Sequence, residues 1–422
     1  MAANYTMATI RPQYHHAIVD WQKRNFPELA ILEKNWEKFF GTQTPFQLVA
    51  KIGELKSNLI EHGRFAGRPR FERASEMQGN MFYTARDIIR AQCSTELGSI
   101  QQHRLTLETA ISDEAKFAVL RIMAEELRHA YQMFWVLDHD KTWRKAGHPD
   151  VAAETIEELL NMELGTHVLD AFNIEFNGFL DNVIYATIID LVGKYQLDMQ
   201  KVFSYAPVGR SMGPMFSEEG FHLGSGRKIL KEMAVAATRG SGNYSVDDLQ
   251  RALNQWYPRG LEMFGNELGG ETNVLFGFKD KTNGVAQVEY TAEVQSVVDN
   301  TNLAIAQVFH KGVEPTELRR IIFEIQTGNE NKRGMKPEDF LFLPSTKFFR
   351  KRGHEEIAFQ SYDVRGELLA TLGKPIDPES YISYLKSVLP DKFVANREFI
   401  KYVQQMKDHR ARTESPSGFT LN

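Results

Sequence analysis

The sequence predicts a mostly α-helical protein: a four-helix bundle, with helices ahead of it and a helical extension after it that carries a small β-hairpin. Three observations predict this. Long segments run without proline and are rich in good helix formers. A glutamate stands three residues before a histidine twice, at Glu126–His129 and at Glu219–His222. A further acid precedes each pair at nearly the same distance, Glu96 lying 30 residues before Glu126 and Asp190 lying 29 before Glu219.

The chain has 422 residues and a net charge of −5. That length allows one large domain with additions, or two. The pattern divides near residue 240. Residues 1–240 read as the bundle with its N-terminal cover helices, and 241–422 as the helical extension packed on it. An acidic balance argues against a general nucleic-acid binder, which carries a basic excess. The single cysteine, Cys93, excludes an internal disulfide framework, suits a reducing cytoplasm and reads as a buried packing residue. No long apolar run follows a basic start, so no signal peptide is read. No stretch approaches about 18 uninterrupted apolar residues, so no membrane span is expected.

Residues 1–60 carry Trp21, Phe26, Leu29, Ile31, Leu32, Trp36, Phe39 and Phe40 at spacings that suggest short amphipathic helices packed on a larger body. The loop Arg64–Arg70 holds Arg64, Arg68 and Arg70; solvated arginines or a phosphate contact are both open there. The first bundle helix runs from about Ser75 to Leu107. It places Gln92 and Glu96 one turn apart on one face, with His103 beyond them as a hydrogen-bonded or core histidine. The turn falls at Thr109–Asp113, with Ser112 as N-cap and Asp113 and Glu114 in the first turn of the second helix, which spans 113–138. Glu96 and Glu126 each lie roughly 15 residues from that turn, so at 1.5 Å per residue they stand level in an antiparallel hairpin.

The second half repeats the design. A helix from His167 to about Gln200 offers Glu175, Asp181 and Asp190, and the same height argument selects Asp190, with the other two as fallbacks. The break is expected near Ser204–Gly209, and Pro214 is expected to kink or restart the fourth helix one turn ahead of Glu219. Glu125 and Glu218, each directly before a motif glutamate, should point away, about 100° round the helix, into surface or salt-bridge roles, with Arg128 as an ion-pair partner. Further on, 246–267 and Val288–Phe309 read as helices and Gly265–Gly277 as a glycine-rich loop that is no phosphate cradle. Pro344–Gly353 holds a basic cluster at Lys347 and Arg350–Arg352. Ile357–Tyr362 and Leu368–Leu372 read as a β-hairpin, and the last 35 residues as helix.

Glutamate and histidine at i, i+3 share one helix face, so both reach one point. Spacing alone is weak evidence, since among 12 histidines chance gives about one such pair. Two pairs with two level carboxylates form the pattern of a ferritin-like di-iron bundle. Four carboxylates match the charge of two Fe(II) ions, neutral imidazole suits iron, and an incomplete ligand shell leaves room for dioxygen. The rival readings are di-iron or manganese–iron chemistry on another small aromatic substrate, a non-catalytic iron store, and a metal-free scaffold in which these residues form buried ion pairs.

The stretches AQCSTELGSIQQH (91–103), AEELRHAYQM (124–133), DLVGKYQ (190–196) and SEEGFHL (217–223) carry a likeness beyond spacing. So do LEMFGNE (261–267), FLPSTKFFRKRG (342–353) and FQSYDVRGEL (359–368). Through them the chain resembles the oxygenase component of benzoyl-CoA 2,3-epoxidases and, more distantly, the catalytic subunit of phenylacetyl-CoA epoxidases. The resemblance implies metal ligation by Glu96, Glu126, His129, Asp190, Glu219 and His222, with Gln92 lining the site. It implies two iron ions and dioxygen, which deliver one oxygen atom to the ring of an aryl-CoA thioester while the other leaves as water. It also implies electrons from a separate NADPH-dependent flavin or iron–sulfur reductase, no nucleotide fingerprint being visible in this chain. Self-association, as a homodimer for example, stays open, and Arg64–Arg70 and Arg350–Arg352 are the candidates for coenzyme A phosphates.

Overall fold

The long proline-free segments become the long helices. The computed structural model describes residues 5–343, apart from 146, 266–268 and 327–331. Contacts divide the chain into two units interleaved along the sequence. The first comprises Met1–Asn182, Asp190–His222 and Phe264–Ala286, and the second Val183–Ile189, Leu223–Met263 and Gln287–Asn422. Helix dominates both, and the described residues hold one small antiparallel sheet. No described helix is long and apolar enough to cross a membrane.

In the first unit, β1 (Thr6–Ala8) pairs antiparallel with β2 (Ala50–Ile52). Between them α1 (Pro12–Asn25) buries Ile18 and Trp21, and α2 (Leu29–Phe40) buries Leu29, Leu32 and Trp36. Ile31, expected in that apolar stripe, is instead exposed. Helix α3 (Asn80–Thr106) and α4 (Asp113–Asp138) form the expected hairpin, and the Ser112 hydroxyl accepts the Ala115 N–H at 3.1 Å as its N-cap. Helix α4 is buried on every side from Ile122 to Asp138, since α2 and the β1–β2 sheet cover its outer face. A short α5 (Val151–Leu160) follows.

The third bundle helix starts later than the sequence suggests. Residues up to 178 are largely irregular, and α6 (Phe179–Ile184) begins where the Asp181 carboxylate accepts the Asn177 and Gly178 N–H groups. One π-helical turn, Tyr185–Ile189, leads into α7 (Asp190–Gln200). Then α8 (Ala206–Thr238) runs unbroken, with Pro207 in its first turn and Pro214 inside it, so the expected break moves to residues 201–205. Pro214 takes away the partner of the Arg210 carbonyl, and a backbone from elsewhere replaces it. The Gly53 N–H donates to Arg210 O at 2.9 Å, and a Cβ on Gly53 would lie 3.1 Å from both that oxygen and the Pro214 ring. The helix therefore needs no kink, and the proline notch is a docking point for the end of β2. The glycine-rich stretch 265–277 contains the short α10 (Glu271–Leu275), packed so closely that Gly63 has the Leu275 carbonyl where a side chain would start.

The second unit contains α9 (Val246–Met263), most of α11 (Asn283–Phe309), and α12 (Pro315–Gln326), so the helices expected at 246–267 and Val288–Phe309 are present, the first ending at Met263. The π turn is part of this unit, with its displaced carbonyls satisfied by hydroxyls: Tyr290 donates to Ile188 O at 3.0 Å, and Thr187 to Val183 O at 2.6 Å. Gly226 of α8 lies against this turn, where a Cβ would come within 2.8 Å of the Ala186 carbonyl carbon. The amides of Gln250 and Asn302 bond the backbone of Leu341 and Phe342 and so fix that strand-like stretch. The basic cluster of 344–353, and the residues where a hairpin (357–372) and a C-terminal helix are expected, lie outside the described residues.

These glycines separate two roles on one helix. Gly226→Ala forces a methyl against backbone and should cost about 1–3 kcal/mol in urea unfolding. Gly220→Ala meets nothing within 4 Å and should be neutral or stabilising by up to about 1 kcal/mol.

Candidate metal centre

Four helices of the first unit each send a buried acid to one point: Glu96 from α3, Glu126 from α4, Asp190 from α7 and Glu219 from α8. His129 and His222 join them, both fully buried. Their ring centroids are 6.0 Å apart. His129 Nδ1 lies 3.6 Å from Glu96, 3.8 Å from Glu126 Oε2 and 3.8 Å from Glu219 Oε1. His222 Nδ1 lies 3.4 Å from Glu126 Oε1, 3.4 Å from Glu219 Oε2 and 3.6 Å from Asp190. Glu126 and Glu219 thus each turn one oxygen to each imidazole, while Glu96 and Asp190 serve one end apiece. Ligand atoms of Glu96, Glu126 and His129, and separately of Glu126, Glu219 and His222, lie within 4.8 Å of one another. All six side chains selected from the sequence converge.

Local structure explains the aim. Asp190 opens α7 directly after the π turn, whose extra residue resets the face that α7 presents. Gly193, one turn on, faces Glu219, whose Oε1 would be in ordinary van der Waals contact, 3.5 Å, with a Cβ there. Gln92 donates to Glu96 Oε1 from one turn earlier on α3, as its spacing predicts. The fallback acids are elsewhere: Glu175 is exposed and Asp181 caps α6. His103 holds the Asn182 amide at 2.6 Å and stays out of the cluster.

Two further acids, expected at the surface, are the main correction. Glu218 accepts from His129 Nε2 at 2.9 Å, and Glu125 from His222 Nε2 at 3.0 Å, each reaching across to the opposite helix. Glu125 is buried because α4 is enclosed on all sides, and Glu218, on α8, is turned toward α4 and only partly exposed. The salt-bridge half of the expectation holds: Arg128 and Lys51 bind Glu218, and Arg121 binds Glu125 at 2.9 Å. A cavity of about 380 Å³, lined in part by Tyr5, Trp36, Phe46 and Lys51, reaches these outer carboxylates. One signal in the sequence marked them, since both motifs read Glu-Glu-x-x-His. The arginines of 64–70 also resolve. Arg70 is buried, donates to the Lys201 and Phe203 carbonyls and pairs with Glu61, so it holds the fold together rather than a phosphate. Arg64 lies over the rings of Phe65 and Phe276.

A carboxylate only accepts, so each Nε2 carries the proton and each Nδ1 turns its lone pair inward. His129 Nδ1, His222 Nδ1, Asp190 Oδ2 and Glu219 Oε2 are buried and bond to nothing within the protein. Orphaned acceptors that converge in a buried interior fit divalent cations. The electrostatics agree. Burial, reinforced by Glu126, holds the Glu96 carboxyl well above its usual range, and burial does the same to Asp190 and, less strongly, Glu126. Burial opposes charge on the histidines, yet Glu218 and Glu96 raise His129, and Glu219 and Glu125 raise His222. Without cations the cluster keeps protons that cations would displace.

The chain is 27% identical over 252 residues to benzoyl-CoA oxygenase component B of Aromatoleum evansii, a match that covers 56% of this chain and 50% of that protein. The chain therefore spans about half the length of the curated relative it matches. No family model matches it. The similarity supports at most a related oxygenase family, and the buried carboxylate–histidine cluster is compatible with metal binding.

Every shifted group in the cluster binds protons more tightly folded than unfolded, so the stability they contribute is lost as pH rises through their raised folded values. Metal-free protein should unfold at a lower temperature at pH 8 than at pH 6.5, and Glu96→Gln with Asp190→Asn should flatten that slope. Separately, Glu125→Ala should weaken metal affinity about 10–100-fold in equilibrium dialysis with little loss of fold.

Proposed function

We propose that this chain is the oxygen-activating component of an iron-dependent monooxygenase that converts the aromatic ring of an aryl-CoA thioester, of benzoyl-CoA type, to an epoxide. The observation that carries the reading is the pair of carboxylates, Glu126 and Glu219, each shared between two inward-facing imidazole nitrogens. That is a site for two ions rather than one. The likeness to an oxygenase component supports the choice of chemistry, and a ferritin-like di-iron carboxylate bundle accommodates it.

Glu96, Glu126, Glu219 and His129 would hold one ion, and Asp190, Glu126, Glu219 and His222 the other. Two irons bound there would supply the reduction of dioxygen and the transfer of one oxygen atom to the ring. The chain's own residues set the conditions. Glu218 and Glu125 fix the imidazole tautomers from behind, and Arg128, Lys51 and Arg121 hold those carboxylates in place. Gln92 fixes one oxygen of Glu96 and leaves the other, Oε2, toward His129. The apolar side chains around the cluster exclude water that would otherwise compete for the open positions.

Forming an epoxide and water from dioxygen takes two electrons and two protons per turnover. A separate NADPH-dependent reductase with flavin or an iron–sulfur centre is the partner this chemistry requires, and the designation of the relative as a component fits a multi-part system. Cys93, single and buried, suits a cytoplasmic setting.

Wild-type protein loaded anaerobically with Fe(II) should carry about two irons by mass spectrometry, and the Glu126→Ala, Glu219→Ala double variant should lose most of them. With a reductase and NADPH, benzoyl-CoA should consume dioxygen and yield an epoxide, while free benzoate should not. No stoichiometric iron in the wild type would end the enzyme reading, and equal turnover of free benzoate would end its thioester part.

A further inference from the structure

A buried lysine of the first unit lies apart from the metal cluster and has no counter-charge. Lys279 is 8% exposed. Its Nζ donates to Gln196 Oε1 at 2.6 Å. Among the described residues that is its one hydrogen bond, and no carboxylate comes within ion-pair distance of it. An ammonium has three N–H groups, so two are without acceptors. The Gln196 amide is half-buried: its oxygen accepts from Lys279, and no described residue accepts from its N–H groups, which lie toward the protein surface.

The backbone that presents Lys279 is clamped. Gly277 has φ +71°, and a Cβ there would lie 2.9 Å from the His62 carbonyl oxygen. The Gly277 carbonyl accepts the Ser204 N–H at 2.8 Å, and the Ser204 hydroxyl donates to the Phe276 carbonyl at 2.7 Å. Next to the lysine, the Phe278 ring stacks on Phe203 at 4.2 Å between centroids. The backbone that carries the lysine is therefore held in a fixed place, and the ammonium is oriented by its hydrogen bond to Gln196. Gln196 is on α7, six residues and about 9 Å along the axis from Asp190.

Taking an ammonium out of water is unfavourable unless a partner compensates it. Burial alone lowers the amine from 10.5 to about 8, which leaves it charged at neutral pH. A buried cation with two N–H groups that no described residue accepts, beside a half-buried amide with two more, offers donors to an oxyanion.

We propose that Lys279 and Gln196 bind one anionic oxygen group, a carboxylate or a phosphate, presented by a ligand. The site goes beyond the oxygenase reading and does not depend on it, because none of its groups belongs to the metal cluster.

The test uses the full chain with three probes: inorganic phosphate, benzoate, and coenzyme A. Binding is followed by calorimetry and by the shift in unfolding temperature, with iron content measured on the same preparations. At least one probe should bind the wild type with 1:1 stoichiometry and raise its unfolding temperature. Lys279→Met should bind that probe at least tenfold more weakly, and should unfold at a higher temperature than wild type when no probe is present. Lys279→Arg should keep binding within a few-fold, and Gln196→Leu should weaken it several-fold. Should Lys279→Met fail to fold, the Lys279→Arg and Gln196→Leu pair still decides. A preference for phosphate and coenzyme A over benzoate would identify a phosphate ligand, and the reverse a carboxylate. The proposal is overturned if no probe binds wild type, if the variants bind as wild type does, or if Lys279→Met loses stability while binding is unchanged. A wild type that binds the anion without retaining iron would leave this site standing and remove the oxygenase reading instead.

Discussion

Four carboxylates and two imidazoles share a buried interior, and the first unit is built to tolerate that. Buried charge of one sign is among the most expensive things a fold can contain. Each part of the bundle nearby answers the problem. The outer nitrogens of the histidines are tied to Glu218 and Glu125, which are neutralised in turn by Arg128, Lys51 and Arg121. The inner atoms are left without partners and are open to cations.

That arrangement explains features that look unrelated. Helix α4 is enclosed on all sides because the carboxylates and cations behind the cluster need shielding as well as the cluster itself. The β1–β2 sheet is small, yet it delivers Lys51 to Glu218, and the Lys51 N–H to Gln132. The proline notch on α8 receives the end of β2 through Gly53. The sheet, the notch and the outer shell of the site are thus one construction.

The two halves of the bundle are not equivalent. Helices α3 and α4 are regular, and Glu96 and Glu126 meet because a short connection places them level. Asp190 instead follows a π turn that lies against Gly226, with displaced carbonyls held by Tyr290 and Thr187. Such an irregularity is tolerated only where hydroxyls and a missing side chain accommodate it.

Much of this was legible from the residues. Two Glu-x-x-His pairs, each with a level upstream acid, selected all six cluster residues, because helical periodicity is a property of local sequence. The helical class followed from propensity, and Ser112 from capping chemistry. Tertiary structure alone decided the rest. Glu125 and Glu218 were assigned outward because a helix viewed alone has an outside; on α4 the fold leaves none, and on α8 it sets Arg128 and His129 against Glu218. Pro214 was expected to break α8 because the missing partner of Arg210 O could come only from Gly53, 157 residues earlier in the chain. Arg70 was open to a phosphate until the carbonyls of Lys201 and Phe203 met it. In each case the deciding partner is remote in sequence. The chain fixed by itself which side chains could share a face, and only the fold decided what stood opposite them.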